Sequence, residues 1–197
     1  MHRRDLLAAF AGSSLALTAG CLNDGLDGAI HPDDDPEVVP EPLQCPEDSF
    51  ERLGPKYDPA EVHWGDAEML ALRIEDTDYE YGDVIELTLT NVGGETEELN
   101  DYRSFNLEIY TEYGWQDVRV DTEPDVPRAF PDDGTGHDPD ETWRWEIELS
   151  ESGIEEASFL AESTRVCPEL QSGRYRFVFA NQFGAEEAVA VAFDVSV

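Results

Sequence analysis

Residues 84–91 read VIELTLTN, and the stretch alternates without a break: Ile85, Leu87 and Leu89 are apolar, while Glu86, Thr88 and Thr90 between them are polar. Successive side chains of a strand point to opposite faces of a sheet, so a period of two puts the apolar residues on one side and the polar ones on the other. A helix would spread the same residues around its circumference. Turn-forming residues bound the stretch, Tyr81-Gly82-Asp83 before it and Asn91-Val92-Gly93-Gly94 after it.

The same period recurs on either side. LALRI (70–74) sets Leu70, Leu72 and Ile74 against Ala71 and Arg73, and FNLEIY (105–110) sets Phe105, Leu107 and Ile109 against Asn106 and Glu108. After the turn at Tyr113-Gly114, WQDVRV (115–120) offers Val118 and Val120. TWRWEIEL (142–149) offers Trp143, Trp145, Ile147 and Leu149, RYRFVF (174–179) offers Tyr175, Phe177 and Phe179, and EAVAVAFDVSV (187–197) offers Val189, Val191, Phe193 and Val195. Only GIEEASFLAES (153–163) has a helical character. Short strands with regular turns and no βαβ spacing predict an all-β domain over residues 63–197, an immunoglobulin-like antiparallel β-sandwich of about seven strands with one short helix. Gly82 and Gly173 suit turns into strands, Asn91 and Gly93 the turn out of one, and Tyr175 a tyrosine corner whose hydroxyl bonds nearby backbone.

Four stretches in order, YEYGDVIELTLTNVGGE (79–95), FNLEIYTEYGWQDV (105–118), PDETWRWEIELSE (139–151) and ELQSGRYRFVF (169–179), resemble the bacterial Ig-like domains of surface lipoproteins. The resemblance runs from Tyr79 to Phe179. It departs at Ser172, where that family often has Pro, and in the loop 121–140, which is longer than usual. It implies a non-enzymatic domain that makes structural or protein contacts. Ig-like sandwiches also resemble the fold of certain proteinase inhibitors, which leaves a second reading, a ligand-binding or inhibitor module acting through its end loops. Trp115 and Phe130 are the candidate contact residues, with packing at the core or rim as the alternative for Trp115.

The N-terminus has the parts of an export signal: Arg3 and Arg4, an apolar run from Leu6 to Ala19, then small residues before Cys21. The run is shorter than the roughly 20 residues that a membrane-spanning helix needs. Twin arginines before DLLAAF resemble a Tat signal, and TAGC resembles a lipoprotein lipobox, with Thr18 where that motif usually has Leu. The resemblance implies that residues 1–20 are removed and that Cys21 is lipidated, which places the protein on the outer face of the cell membrane. Residues 21–62, rich in Asp, Pro and Gly and without apolar period, read as an acidic tether.

Forty-six Asp and Glu stand against 12 Lys and Arg, a formal charge of −34. The acids are interleaved with apolar residues along the chain, so they coat a folded body. Salt near 1 M cuts the Debye length to about 3 Å and screens the self-repulsion of such a coat. The sheath, nearly free of lysine, resembles proteins of extremely halophilic archaea. Phosphate backbones are repelled by it, which argues against nucleic acid.

With Cys21 assigned to the lipid, Cys45 and Cys167 are an even pair in an exported chain, where disulfides persist; two free buried thiols are the alternative. His2, His31, His63 and His137 are widely spaced, and no H-x-x-x-H, C-x-x-C, G-x-S-x-G or Gly-rich phosphate loop occurs. Neither an enzyme nor a cofactor site is expected. The partners expected are the membrane through Cys21 and a protein or envelope component. Weak divalent-cation binding is a further reading for the acidic loop PDDGTGHDPDE (131–141).

Overall fold

The alternating stretches are strands. The computed structural model describes residues 28–55, 57–127, 134–181 and 188–197. In chain order the strands are β1 Glu51–Arg52, β2 Val62–Trp64, β3 Leu70–Ile74, β4 Asp78–Glu80, β5 Val84–Asn91, β6 Glu97–Leu99, β7 Phe105–Thr111, β8 Gly114–Asp117, β9 Arg119–Asp121, β10 Thr135–His137, β11 Thr142–Glu148, β12 Thr164–Val166, β13 Gly173–Ala180 and β14 Ala188–Ser196. The helix α1, Glu151–Ala157, lies between β11 and β12.

The chain is therefore all-β, and each predicted stretch is found, with WQDVRV dividing at Val118 into β8 and β9. The described residues hold fourteen strands rather than about seven, because two- and three-residue segments pair as well, β2 and β4 on β14 and β1, β6, β9, β10 and β12 in two small sheets of their own. The helix begins two residues earlier than predicted, where the Ser150 side chain caps it by accepting the Gly153 amide, and it is over by Ala157.

β11, β5 and β3 form an antiparallel sheet, and β2, β14, β13, β7 and β8 line up in a larger one with β4 also on β14. The larger sheet is mixed, since β2 and β4 both join β14 in parallel. Small sheets β1-β9-β12 and β10-β6 complete the structure. Ile85, Leu87 and Leu89 from the first sheet share one core with Leu107, Phe177, Val191 and Phe193 from the second. Trp145 bridges them, its ring 5.1 Å from that of Phe177. Each such side chain fully buried contributes about 1.5–3 kcal/mol. The Tyr175 ring is buried, and its hydroxyl donates to the Gln171 carbonyl at 2.6 Å and accepts from the Gln171 amide at 3.1 Å.

The proline-rich stretch expected to be a tether is described from Gly28 onward, and from there it lies against the sheets. Ala29 exchanges backbone hydrogen bonds with Ile74, and Ile30 accepts from the Ala192 amide. Pro40 accepts from the Glu112 amide, and the Leu43 amide donates to Gln116 Oε1. Tyr57 and Val62 pack on Val178, Ala180, Ala188 and Ala190 of the larger sheet. A disulfide joins Cys45 to Cys167 with their Cα atoms 5.6 Å apart.

This covering changes which residues are buried. Ala71 and Arg73, whose alternation points them away from the core, are both buried. Gly65 shows why the approach is so close: with φ +71° it turns where other residues rarely can, and a Cβ there would fall 2.5 Å from Ile30 Cδ1. Among the described residues no helix is long and apolar enough to cross a membrane.

Candidate contact surface

The outward face of β7 carries Asn106, Glu108 and Tyr110. Cross-strand register sets Glu108 opposite Arg176 of β13 on one side and Asp117 of β8 on the other, and sets Tyr110 opposite Trp115. Two carboxylates directly opposed on a sheet repel each other. Here each has its own arginine. Arg176 Nη2 lies 2.6 Å from Glu108 Oε2, and Arg119 holds Asp117 through Nε at 2.9 Å and Nη2 at 2.8 Å.

The covering segment completes the network. The Tyr57 hydroxyl donates to Glu108 Oε1 at 2.6 Å and accepts from Arg176 Nη2 at 3.2 Å. Burial, and then Glu108 beside it, push the Tyr57 hydroxyl well above the ordinary tyrosine value. Arg52 donates to the carbonyls of Asp117 and Cys167, so the segment is also fixed at its disulfide end. Glu108, Asp117, Arg119 and Arg176 are all at most 4% exposed. Charges taken this far out of water are tolerated only when paired and hydrogen-bonded, and these are.

Trp115 roofs this network. The Arg176 guanidinium carbon lies 4.4 Å from the Trp115 ring centroid, a cation–π contact. Tyr110 lies 5.2 Å and Trp64 6.3 Å from the same ring, tilted to it by 59° and 52°. Trp115 is half-buried, whereas Trp64 is 41% and Tyr110 37% exposed. The group is an aromatic surface on a rigid sheet face, fixed from beneath by a buried ion pair.

Of the other residues singled out in the sequence, Arg3, Arg4, Cys21 and Phe130 lie outside the described residues. The acidic loop is described from residue 134. Within it Glu141 accepts the Asp138 amide, and Asp138 accepts the Thr96 hydroxyl. His137 is fully buried against Trp143, at 4.8 Å between rings, with neither ring nitrogen hydrogen-bonded, and burial lowers its pKa. Among the described residues, the one group of three His, Cys, Asp or Glu ligand atoms close enough to hold a metal is Cys45, Glu47 and Cys167, and both its sulfurs are in the disulfide.

Trp64, Tyr57 and Arg176 were not predicted as a group with Trp115. Strand register brings Trp64 to the group, through a parallel pairing of β2 on β14 that alternation does not reveal, and Tyr57 joins from the loop before β2 by its hydrogen bonds to Glu108 and Arg176. One signal was available: with 12 basic residues in the chain, arginines at the centre of strands RYRFVF and WQDVRV are costly to spend on a solvated face of an acidic protein. No protein-family model matches the chain, and no curated protein matches it in sequence. Function is therefore read from the chain's own residues.

Proposed function

We propose that this is a non-enzymatic cell-surface protein, held to the membrane by a lipid on Cys21, whose immunoglobulin-like sandwich makes protein or envelope contacts in a high-salt medium. The observation that carries the reading is the aromatic group Trp64, Tyr110 and Trp115. Two of these rings are more than a third exposed, and all three stand on a sheet whose opposite face is the core. Large rings held rigidly at a surface lose little entropy on contact, which is why such residues dominate interfaces. The Arg176–Glu108 pair beneath keeps Trp115 in place beside the exposed Trp64 and Tyr110.

The Ig-like reading of the fold is supported by the shared core of two β-sheets and by the tyrosine corner at Tyr175. The leader and lipobox motifs support the anchor. Crosslinking in intact cells at molar salt, with a photoreactive residue replacing Tyr110, tests the contact surface; one stoichiometric partner is expected. Its absence, with the protein folded and anchored, would remove the aromatic group as a contact surface. The mass of the mature protein tests the anchor separately, because it should start at Cys21 and carry acyl chains.

A further inference from the structure

Strands β1 and β12 lie on either side of β9, with Cys45 in the segment that leads into β1 and Cys167 directly after β12. The S–S bond is not alone in holding these two positions together. The Cys167 amide donates to the Val118 carbonyl at 3.0 Å and the Leu53 amide to the Arg119 carbonyl at 3.1 Å, while Arg52 Nη2 donates to the Cys167 carbonyl at 2.9 Å. None of the three bonds passes through the sulfurs, so the pair stays adjacent when its thiols are free.

Glu47 follows two residues after Cys45, in a turn closed by the Phe50 amide, which donates to the Glu47 carbonyl at 3.2 Å. A carboxylate oxygen of Glu47 and the sulfurs of Cys45 and Cys167 all lie within 4.8 Å of one another. A tetrahedral zinc site has bonds of about 2.3 Å to sulfur and about 2.0–2.2 Å to oxygen, which sets its donor atoms roughly 3.5–3.8 Å apart. The carboxylate is therefore near its place already. The sulfurs have only to separate, on Cα atoms 5.6 Å apart. Cys167 is buried, Cys45 half-buried and Glu47 exposed, so an ion held there is covered on its sulfur side and reached by water on its oxygen side. An open depression lined by Pro46, Val166, Pro168 and Glu169 gives it access from solvent.

We infer that the thiol form of the protein binds one zinc ion through Cys45, Cys167 and Glu47, with water in the fourth position, and that the ion then does the disulfide's work of pinning the covering segment. Metal and disulfide are alternatives, because the ligand is the thiolate. A dithiol opens the S–S bond by passing two electrons and two protons to the cysteines and closing into its own disulfide. On binding, the two thiol protons leave to solvent and two metal–sulfur bonds form. The donor set selects the metal. Two thiolates suit zinc, whereas calcium and magnesium prefer oxygen ligands alone. A net charge of −34 draws cations to the surface, and the thiolates supply the discrimination that carboxylates lack.

The test uses the full chain carrying Cys21→Ser, which leaves Cys45 and Cys167 as its two cysteines. It is reduced with dithiothreitol, desalted without oxygen and titrated with Co²⁺ in molar salt. One equivalent is expected to bind with a thiolate-to-cobalt charge-transfer band, and Zn²⁺ should displace it. The disulfide form should show no such band. Cys167→Ser should remove the band, and Glu47→Gln should keep it while weakening the affinity at least about tenfold, the least that losing even a supporting partner of a metal site ordinarily costs. Zn²⁺ should also slow hydrogen exchange at the Leu43 and Glu112 amides of the reduced chain toward the rates of the disulfide form. Absence of the band, an equal affinity in Glu47→Gln, equal binding by the disulfide form, or a reduced chain whose covering segment opens and is not restored by Zn²⁺ would overturn the inference.

Discussion

The Arg176 guanidinium lies between Glu108, 2.6 Å away, and the ring of Trp115, 4.4 Å away, so one buried cation holds both the sheet's outer face and its aromatic roof. Truncating it strands the Glu108 carboxylate, leaving the Tyr57 hydroxyl as its remaining partner. Arg176→Ala should cost about 3–5 kcal/mol in chemical denaturation, the usual penalty for an orphaned buried charge. The double variant Arg176→Met with Glu108→Met should recover most of that, since apolar residues of similar size replace buried pairs at little cost. Equal losses in the single and double variants would show that packing, not charge pairing, holds this face.

Tyr175 tests the core in a simpler way. Its hydroxyl both donates to and accepts from the backbone of Gln171 while its ring stacks on Phe193 at 6.0 Å. Tyr175→Phe keeps the ring and removes both bonds. A loss of about 1–3 kcal/mol is expected, with the near-ultraviolet circular dichroism of the core unchanged. A neutral substitution would mean that water replaces the hydroxyl.

The disulfide fixes the covering segment. Cys45 and Cys167 are 122 residues apart in sequence, and chain-entropy models assign about 4–5 kcal/mol to a closed loop of that order. Cys45→Ala with Cys167→Ala should lower the denaturation midpoint accordingly. Hydrogen exchange should quicken first at the amides of Leu43 and Glu112, which bond across to Gln116 and Pro40, while Phe177 and Val191 in the core keep their protection. Uniform loss of protection would show instead that the segment and the core unfold as one unit.

The strands were legible in the sequence because one face of each is apolar, and Ile85, Leu87 and Leu89 lie in the core as the alternation predicts. What alternation cannot report is a second covering. Asn106, Glu108 and Arg176 stand on the outward parity of their strands, where a polar residue is usually solvated, yet Tyr57 and Val62 close that face from a stretch with no apolar period at all. The covering segment binds by scattered backbone bonds from Ala29, Ile30, Pro40 and Leu43, and such bonds leave no trace in side-chain pattern. The aromatic surface was half legible. Trp115 follows a visible turn, but Trp64 reaches it only through the parallel pairing of β2 with β14.

His137 gives the protein a pH response that its carboxylates cannot mimic. The ring is buried against Trp143, and Glu141 Oε2, 3.7 Å from Nδ1, is the acidic group nearest to it. Burial outweighs that carboxylate and lowers the folded-state pKa below the ordinary 6.5. The unfolded chain therefore binds a proton that the folded chain refuses, and the equilibrium shifts toward unfolding as protons are added. Stability from this residue is complete above about pH 6.5 and falls as pH drops from there toward the folded value, by up to about 1.4 kcal/mol per unit. Asp101 and Glu151 have lowered pKa values, so their contributions are lost only at more acidic pH, below the ordinary carboxylate range. Denaturation midpoints measured at constant salt between pH 7 and pH 5 should decline in the parent protein and stay level in His137→Phe. A parallel decline in both proteins would assign the slope to other groups.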